Sequence, residues 1–350
     1  MEPEQHQKKT IKQKLTVQYS KVQAKWNSLG AIRWFILAVS LLILVGIVVA
    51  IVWTLHQNSE GSITINSGDT NTVAVTSPEP PVTSQLPLDG ALVTEEEYNR
   101  IMKYLPMAVM IENLQTIRPV SGLSRADLVF EALVEGGITR YMAVFLHYDV
   151  DEIMPVRSSR SYYLDWLEPL DATYMHIGGA ISDNPRAVAL PRIFAEGIKT
   201  YMNASGAWWR KSGIAAPHNA FTSTQRMKDV QDTLGWGRAT TLSPWKFKDD
   251  NIHITEPTPE TEGVIVPEIG QTIDLTWNGY GNNGYQVRWT YDKEFNYYPY
   301  AVGGVKQTDH ATSEPITAKN IVMQYTVQTY ANDGYGHILY DTVGEGGAII

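Results

Sequence analysis

An uninterrupted apolar run of 22 residues, Trp34 to Leu55 (WFILAVSLLILVGIVVAIVWTL), constrains this chain more than any other feature. It carries no charge and no polar face, so it has no stable place on the surface of a globular fold. At about 1.5 Å per residue it spans about 33 Å, enough to cross a bilayer core of about 30 Å. A cleaved signal peptide would have a shorter apolar core and end in a small-residue site; this run ends in Ile51-Val52-Trp53-Thr54-Leu55. An uncleaved anchor is the expectation, with Trp34 and Trp53 at the two interfaces. Lys8, Lys9, Lys12, Lys14, Lys21, Lys25 and Arg33 precede the run, whereas His56 to Gly90 has no Lys or Arg. That asymmetry puts the N-terminus in the cytoplasm and residues 56–350 outside a cell membrane.

Charge then narrows the partners. The chain has a formal net charge of −9. Residues 1–33 hold +5 of it, which leaves −14 on the remainder. An acidic exterior is a poor match for nucleic acid, where binding rests on phosphate neutralisation. No cysteine is present, which excludes disulfides, thiolate metal sites, a Cys nucleophile and an N-terminal lipidated Cys.

Five segments follow from composition. Residues 1–33 read as a basic cytoplasmic tail and 34–55 as the membrane helix. Residues 56–90 are a Ser/Thr/Pro-rich linker with an end-to-end distance of about 35 Å as a flexible coil. Residues 91–240 read as an α/β domain, a mixed sheet with flanking helices. Within it, strands are expected at Met107–Ile111, Ala126–Glu135, Ile138–Tyr148 and Ala172–Ile177, and helices from Thr94 and at Ser158–Leu167, Asn184–Glu196 and Thr222–Leu234. Residues 241–350 read as a smaller β-rich domain. There, short alternating segments (TIDLTW, YQVRWTY, YYPYAV, IVMQYTV, HILYDTV) recur between turn residues, and ten Tyr fall between 280 and 340. The ending Gly346-Gly347-Ala348-Ile349-Ile350 resembles the start of a strand, as in a fragment of a longer chain.

The densest polar chemistry lies between Arg118 and Arg160. Period-two alternation puts Leu128, Phe130, Ala132 and Val134 on one strand face and Asp127, Glu131 and Glu135 on the other. A two-residue Gly136-Gly137 hairpin would set Leu133 opposite Arg140 and place Arg140 on the face of Glu131 and Glu135. Strand residues four apart are separated by about 13 Å, too far for a glycosidase pair, which needs about 5–9.5 Å. On a helix the same acids would form one stripe about 6 Å apart. Arg157, Ser158 and Arg160 before a helix could hold a carboxylate or phosphate. His176 ends a strand before Gly178-Gly179; Arg210, His218 and Asn219 precede another helix. His176 and His218 lack metal-site spacing such as HExxH, so no metal and no cofactor is expected.

Six motifs in order resemble the YerB-like family: Ala108–Asn113, Arg118-Pro119 with Gly122-Leu123, Asp127–Arg140, Pro155–Arg160, His176–Gly179 and Pro217–Asn219. The family consists of bacterial envelope lipoproteins built on a domain of unknown function. The resemblance implies an extracytoplasmic two-domain protein and supplies no catalytic mechanism. Its members use a lipidated Cys, which this chain lacks; the apolar run stands in its place.

The leading expectation is a tethered protein that binds cell-wall glycan, an anionic envelope ligand or an envelope protein. Glu112, Asn113, Asp127, Arg140, Arg157, Ser158, Arg160, Arg210 and Asn219 are the candidate ligand-binding residues. The alternative is a glycan-cleaving enzyme with Glu131 or Glu135 as acid and His176 or His218 as base. A weaker third reading is a scaffold whose Tyr-rich domain is the contact surface.

Overall fold

The computed structural model describes residues 82–237, 245–247, 272–277, 283–342 and 347–349, the last three by backbone alone. The run Trp34–Leu55, the basic tail and nearly all of the linker lie outside them. Among the described residues no helix is long and apolar enough to cross a membrane.

The first hairpin, β1 (Ser84–Gln85) and β2 (Leu92–Val93), leads into α1 (Glu95–Ile101). As expected for Thr94 before three acids, its hydroxyl accepts the Glu97 N–H and Glu97 bonds back to the Thr94 N–H, a complete capping box. The central sheet contains β3 (Met107–Glu112), β4 (Leu128–Leu133), β5 (Thr139–Phe145) and, after α2 (Ser161–Leu167), β6 (Thr173–Met175). Its order is β4-β5-β3-β6, with β6 parallel to β3 and the other pairs antiparallel. Every residue of β3 and β5 is buried, as their near-continuous apolar sequences require of strands covered on both faces. Next come α3 (Leu190–Ala195), the hairpin of β7 (Trp208–Arg210) and β8 (Ala220–Thr222), and α4 (Thr224–Leu234), N-capped by Ser223.

The C-terminal region is β-rich, as expected. β9 (Thr272–Leu275), β10 (Val287–Thr290), β11 (Tyr298–Val302) and β12 (Val305–Lys306) form an antiparallel sheet, with β13 (Thr317–Ala318) paired to β11. β14 (Met323–Tyr325) pairs with β17 (Gly347–Ile349), and β15 (Val327–Tyr330) pairs with β16 (Ile338–Asp341). Its core is continuous with that of the α/β region. Val287, Tyr300, Val302 and Ile316 pack in one apolar cluster with Met107, Val109, Ile111 and Phe145. The opposite sheet face packs Ala108, Met110, Met142 and Val144 against Tyr162, Tyr163 and Leu167 of α2.

Three expectations are corrected. The β4–β5 turn uses three residues, Glu135–Gly137, closed by Val134 N–H to Ile138 C=O at 2.7 Å. The register becomes Leu133 opposite Thr139 and Ala132 opposite Arg140. That one-residue change moves Arg140 to the face opposite Glu131, because side chains alternate with period two. Second, the helix expected from Ser158 begins at Ser161. The preceding residues are taken by backbone pairing: Arg157 N–H bonds to Met110 C=O at 2.9 Å and Ile177 N–H to Arg157 C=O at 3.0 Å. Arg157 and Ser158 are therefore in extended chain and not at a helix N-terminus. Third, only Leu190–Ala195 of the expected 184–196 helix forms. Ser182 and Asn184 side chains cap local turns there, accepting the N–H of Asn184 and Arg186, and so compete with helical bonding.

Truncating Met142, fully buried at the centre of β5, should cost about 2–5 kcal/mol. Urea unfolding of Met142→Ala against wild type, at unchanged m-value, measures it.

Candidate functional site

The site grows from the end of β3. Consecutive strand residues point to opposite faces, so Glu112 and Asn113 open two separate polar networks in an otherwise apolar sandwich. Burying these groups without partners would cost several kcal/mol each, and both have partners.

On the α2 face, Glu112 is opposite Arg140 across the β3–β5 ladder. Its Oε2 meets His218 Nδ1 at 2.7 Å and its Oε1 lies 3.4 Å from Arg157 Nε. The second contact lacks hydrogen-bond geometry; Arg157 Nε is sealed from solvent with no hydrogen-bond partner. Arg140 donates to the Ser158 carbonyl at 2.6 Å. Burial, and then the neighbouring Arg160 charge, lower its guanidinium to about 10, so it stays cationic at neutral pH. Arg160 grips Glu135 through one guanidinium edge, Nε and a terminal nitrogen each donating to one carboxylate oxygen at 2.5 Å. Burial pushes the Glu135 carboxyl up; the bidentate pair outweighs it and holds the group below its ordinary value. His337 from the C-terminal region reaches Glu135 at 3.5 Å through Nε2 and Asp333 at 2.5 Å through Nδ1. At the rim, exposed Arg210 donates to Asn219 Oδ1 at 2.6 Å.

On the opposite face, Asn113 donates to Thr139 Oγ1 at 2.6 Å and to Glu131 Oε1 at 3.2 Å. Glu131 also accepts from Thr139 at 2.6 Å and from Tyr300 at 3.0 Å. Arg118 closes the network, donating to Asn113 Oδ1 at 2.6 Å and to the Gly284 carbonyl at 2.9 Å. Burial raises the Glu131 carboxyl despite these donors. Its surroundings join the two regions of the chain, and both of its oxygens accept hydrogen bonds from within the protein.

The candidates therefore divide. Glu112, Arg140, Arg157, Ser158, Arg160, Glu135 and His218 gather on one face, with Arg210 and Asn219 alongside. Asn113 and Glu131 occupy the other. Asp127 is elsewhere: its Oδ2 accepts the N–H groups of Leu146 at 2.5 Å and His147 at 3.1 Å. Those residues follow β5 at the far end from Arg140, roughly 20 Å along the strand. His176 is fully buried. Its Nδ1 contacts the Gly178 carbonyl at 2.8 Å and its Nε2 contacts Thr200 Oγ1 at 2.9 Å. Burial lowers it to about 4, the Gly178 contact offsetting only part of the cost. Among the described residues neither His176 nor His218 falls within ligand distance of two other such groups. Sequence reasoning missed Arg118, Tyr300, His337 and Asp333. Arg118 had only the signal of its place in a motif, and the others come from more than 150 residues downstream.

A cleft of about 420 Å³ also opens between α2 and β16, lined by Asp165, Arg186, Arg192 and Asp341 among others. Its charges are paired, Arg192 with Asp165 at 2.9 Å and Arg186 with Asp341 at 2.5 Å. None of the residues singled out from the sequence lines it.

A mixed α/β module fused through a shared core to β-rich sheets is the class that this arrangement defines. The chain belongs to the DUF3048 family of unknown function, matching its N-terminal domain over residues 90–237 and its C-terminal domain over 268–350. It is 30% identical over 267 residues to "Putative lipoprotein YerB" of Bacillus subtilis (strain 168), covering 74% of this chain and 73% of that protein. The crystal structure of YerB from the same organism superposes with a TM-score of 0.59 at 26% identity, covering 76% of this chain and 83% of the other.

The His176 ring gives a pH prediction. With a folded value near 4 and an unfolded value near 6.5, the unfolded chain binds more protons between them. Stability contributed at this site is present above pH 6.5 and is lost as pH falls toward 4, by up to about 3 kcal/mol. The difference between wild type and His176→Gln in urea-unfolding free energy should shrink by that order across this window.

Proposed function

We propose that the protein is a membrane-anchored extracytoplasmic binding protein that takes an anionic group of the cell wall at the mouth formed by Arg157, His218, Arg210 and Asn219. The observation that carries this reading is the divided carboxylate of Glu112. It holds His218 at 2.7 Å but leaves Arg157 at 3.4 Å, with a buried Nε that has no hydrogen-bond partner. Glu112 thus leaves Arg157 incompletely satisfied, and the part of its side chain that stays exposed can pair with a phosphate or carboxylate from outside. Three arginines, Arg140, Arg157 and Arg160, converge there on a chain that is acidic overall. The ends of β3 and β6, adjacent parallel strands, are also where open α/β sheets receive ligands.

Anchoring rests on Trp34–Leu55 and its basic flank, and the description of the Bacillus relative as a lipoprotein supports membrane attachment. A single span without an ionisable residue offers no path or relay, so its role is tethering. The linker then keeps residues 91–350 within a few nanometres of the bilayer. Glycan cleavage is less well supported. Glu131 is enclosed by three donors and Glu135 by Arg160 and His337.

The test is binding of the full chain, in detergent micelles, to purified wall fragments with and without anionic polymer. Arg210→Glu, at an exposed position, should weaken binding at least tenfold, and Arg157→Ala should do the same. Unchanged affinity in both refutes the reading. New reducing ends from the wild-type chain, absent with Glu131→Gln, would establish the enzyme instead.

A further inference from the structure

Away from the arginine cluster, three side chains converge from three elements. Asp89 lies in the turn between β1 and β2, Asp127 just before β4, and His147 just after β5. One potential ligand atom from each lies within 4.8 Å of both others. We propose that Asp89, Asp127 and His147 form a binding site for one divalent transition-metal cation, Zn²⁺ or Mn²⁺ in class.

Both carboxylates are already oriented through one oxygen by backbone N–H groups outside the cluster. Asp89 Oδ1 accepts the Ala91 N–H at 3.0 Å, while its Oδ2 faces His147 Nδ1 at 2.6 Å. Asp127 Oδ2 accepts the Leu146 and His147 N–H groups, while its Oδ1 is sealed from solvent with no hydrogen-bond partner. A buried carboxylate oxygen left over in this way is costly, and a cation at this point satisfies it. The His147 ring is held flat against Tyr148, centroids 3.9 Å apart. Fixing one oxygen of each carboxylate by a bond outside the site is the pattern of second-shell support around metals.

The chemistry of the set selects the ion. One imidazole nitrogen and two carboxylate oxygens suit Zn²⁺ or Mn²⁺ better than Ca²⁺ or Mg²⁺, which prefer all-oxygen shells. Ligand distances of about 2.0–2.2 Å put neighbouring ligand atoms about 3.4 Å apart in a tetrahedral site. Asp89 Oδ2 and His147 Nδ1, now 2.6 Å apart, therefore exchange their direct bond for the cation and separate by about 0.8 Å, while a pair at the 4.8 Å limit closes in by about 1.4 Å. Three protein ligands leave room for water or an outside group. Two carboxylates against one imidazole give the site negative charge. Arg125, the cation over Tyr148, is committed to Glu314 at 2.5 Å. The cation would tie the β1–β2 hairpin, where the linker ends, to both strands of the β4–β5 pair.

The experiment is calorimetric titration of the EDTA-treated full chain in detergent with Zn²⁺, Mn²⁺ and Ca²⁺ alone, with melting temperature read alongside. One equivalent of Zn²⁺ or Mn²⁺ should bind and raise the melting temperature, with Ca²⁺ at least tenfold weaker. Asp89→Asn and His147→Gln, both at partly exposed positions, should each weaken binding at least tenfold, and His310→Gln should not. Asp127→Asn keeps the oxygen that caps Leu146 and His147, and it should also bind more weakly. The proposal is overturned if no saturable binding occurs, if Ca²⁺ is preferred, or if Asp89→Asn and His147→Gln bind as wild type does.

Discussion

The organisation of this molecule depends on a single constraint, the cost of leaving polar groups unpaired inside a sandwich covered on both faces. β3 is buried along its whole length and ends at Glu112, followed by Asn113, and neither reaches bulk water. Strand alternation sends one to each face, so each face had to supply partners. Arg157 and His218 come to Glu112 from segments that follow the sheet in sequence. Thr139, Glu131 and Arg118 come to Asn113 from neighbouring strands and loops. The second network is completed only by Tyr300 and the Gly284 carbonyl, from the C-terminal region.

That dependence explains why the two family domains share a core here. Gly122 N–H donates to Asp309 Oδ2 at 2.6 Å, and His310 N–H to the Val120 carbonyl at 2.9 Å. At the other side of the sheet, Glu135 bridges Arg160 and His337. The C-terminal region thus closes both faces of the same charged region, and its removal would take the Tyr300 hydroxyl from Glu131 and Tyr141.

Much of the layout was legible because it is local. The acid-rich start at Thr94, the apolar β3, the Ser223 cap and the alternating C-terminal strands all follow from propensity and periodicity over a few residues. What failed were features set by competition between local and distant bonding. Gly136-Gly137 fits a two-residue turn equally well, but Glu135 joins it as a third residue, and one step of register carried Arg140 to the other face. Ser158 looked like a helix start, but the ends of β3 and β6 required its neighbourhood as extended chain. His176 looked available at a strand end and is instead sealed between Gly178 and Thr200.

By itself, the sequence determined which residues are apolar, where strands and helices can begin, and that a 22-residue run is uncharged. Those outcomes depend on hydrophobic period and length, which are properties of contiguous residues. Only the tertiary structure decided which acids meet which arginines. It paired Glu112 with Arg157 and His218, Glu135 with Arg160 and His337, and Glu131 with Tyr300. It also brought Asp89, Asp127 and His147 together from three separate elements. Electrostatic partners are chosen by distance in space and by desolvation, and neither is encoded in spacing along the chain.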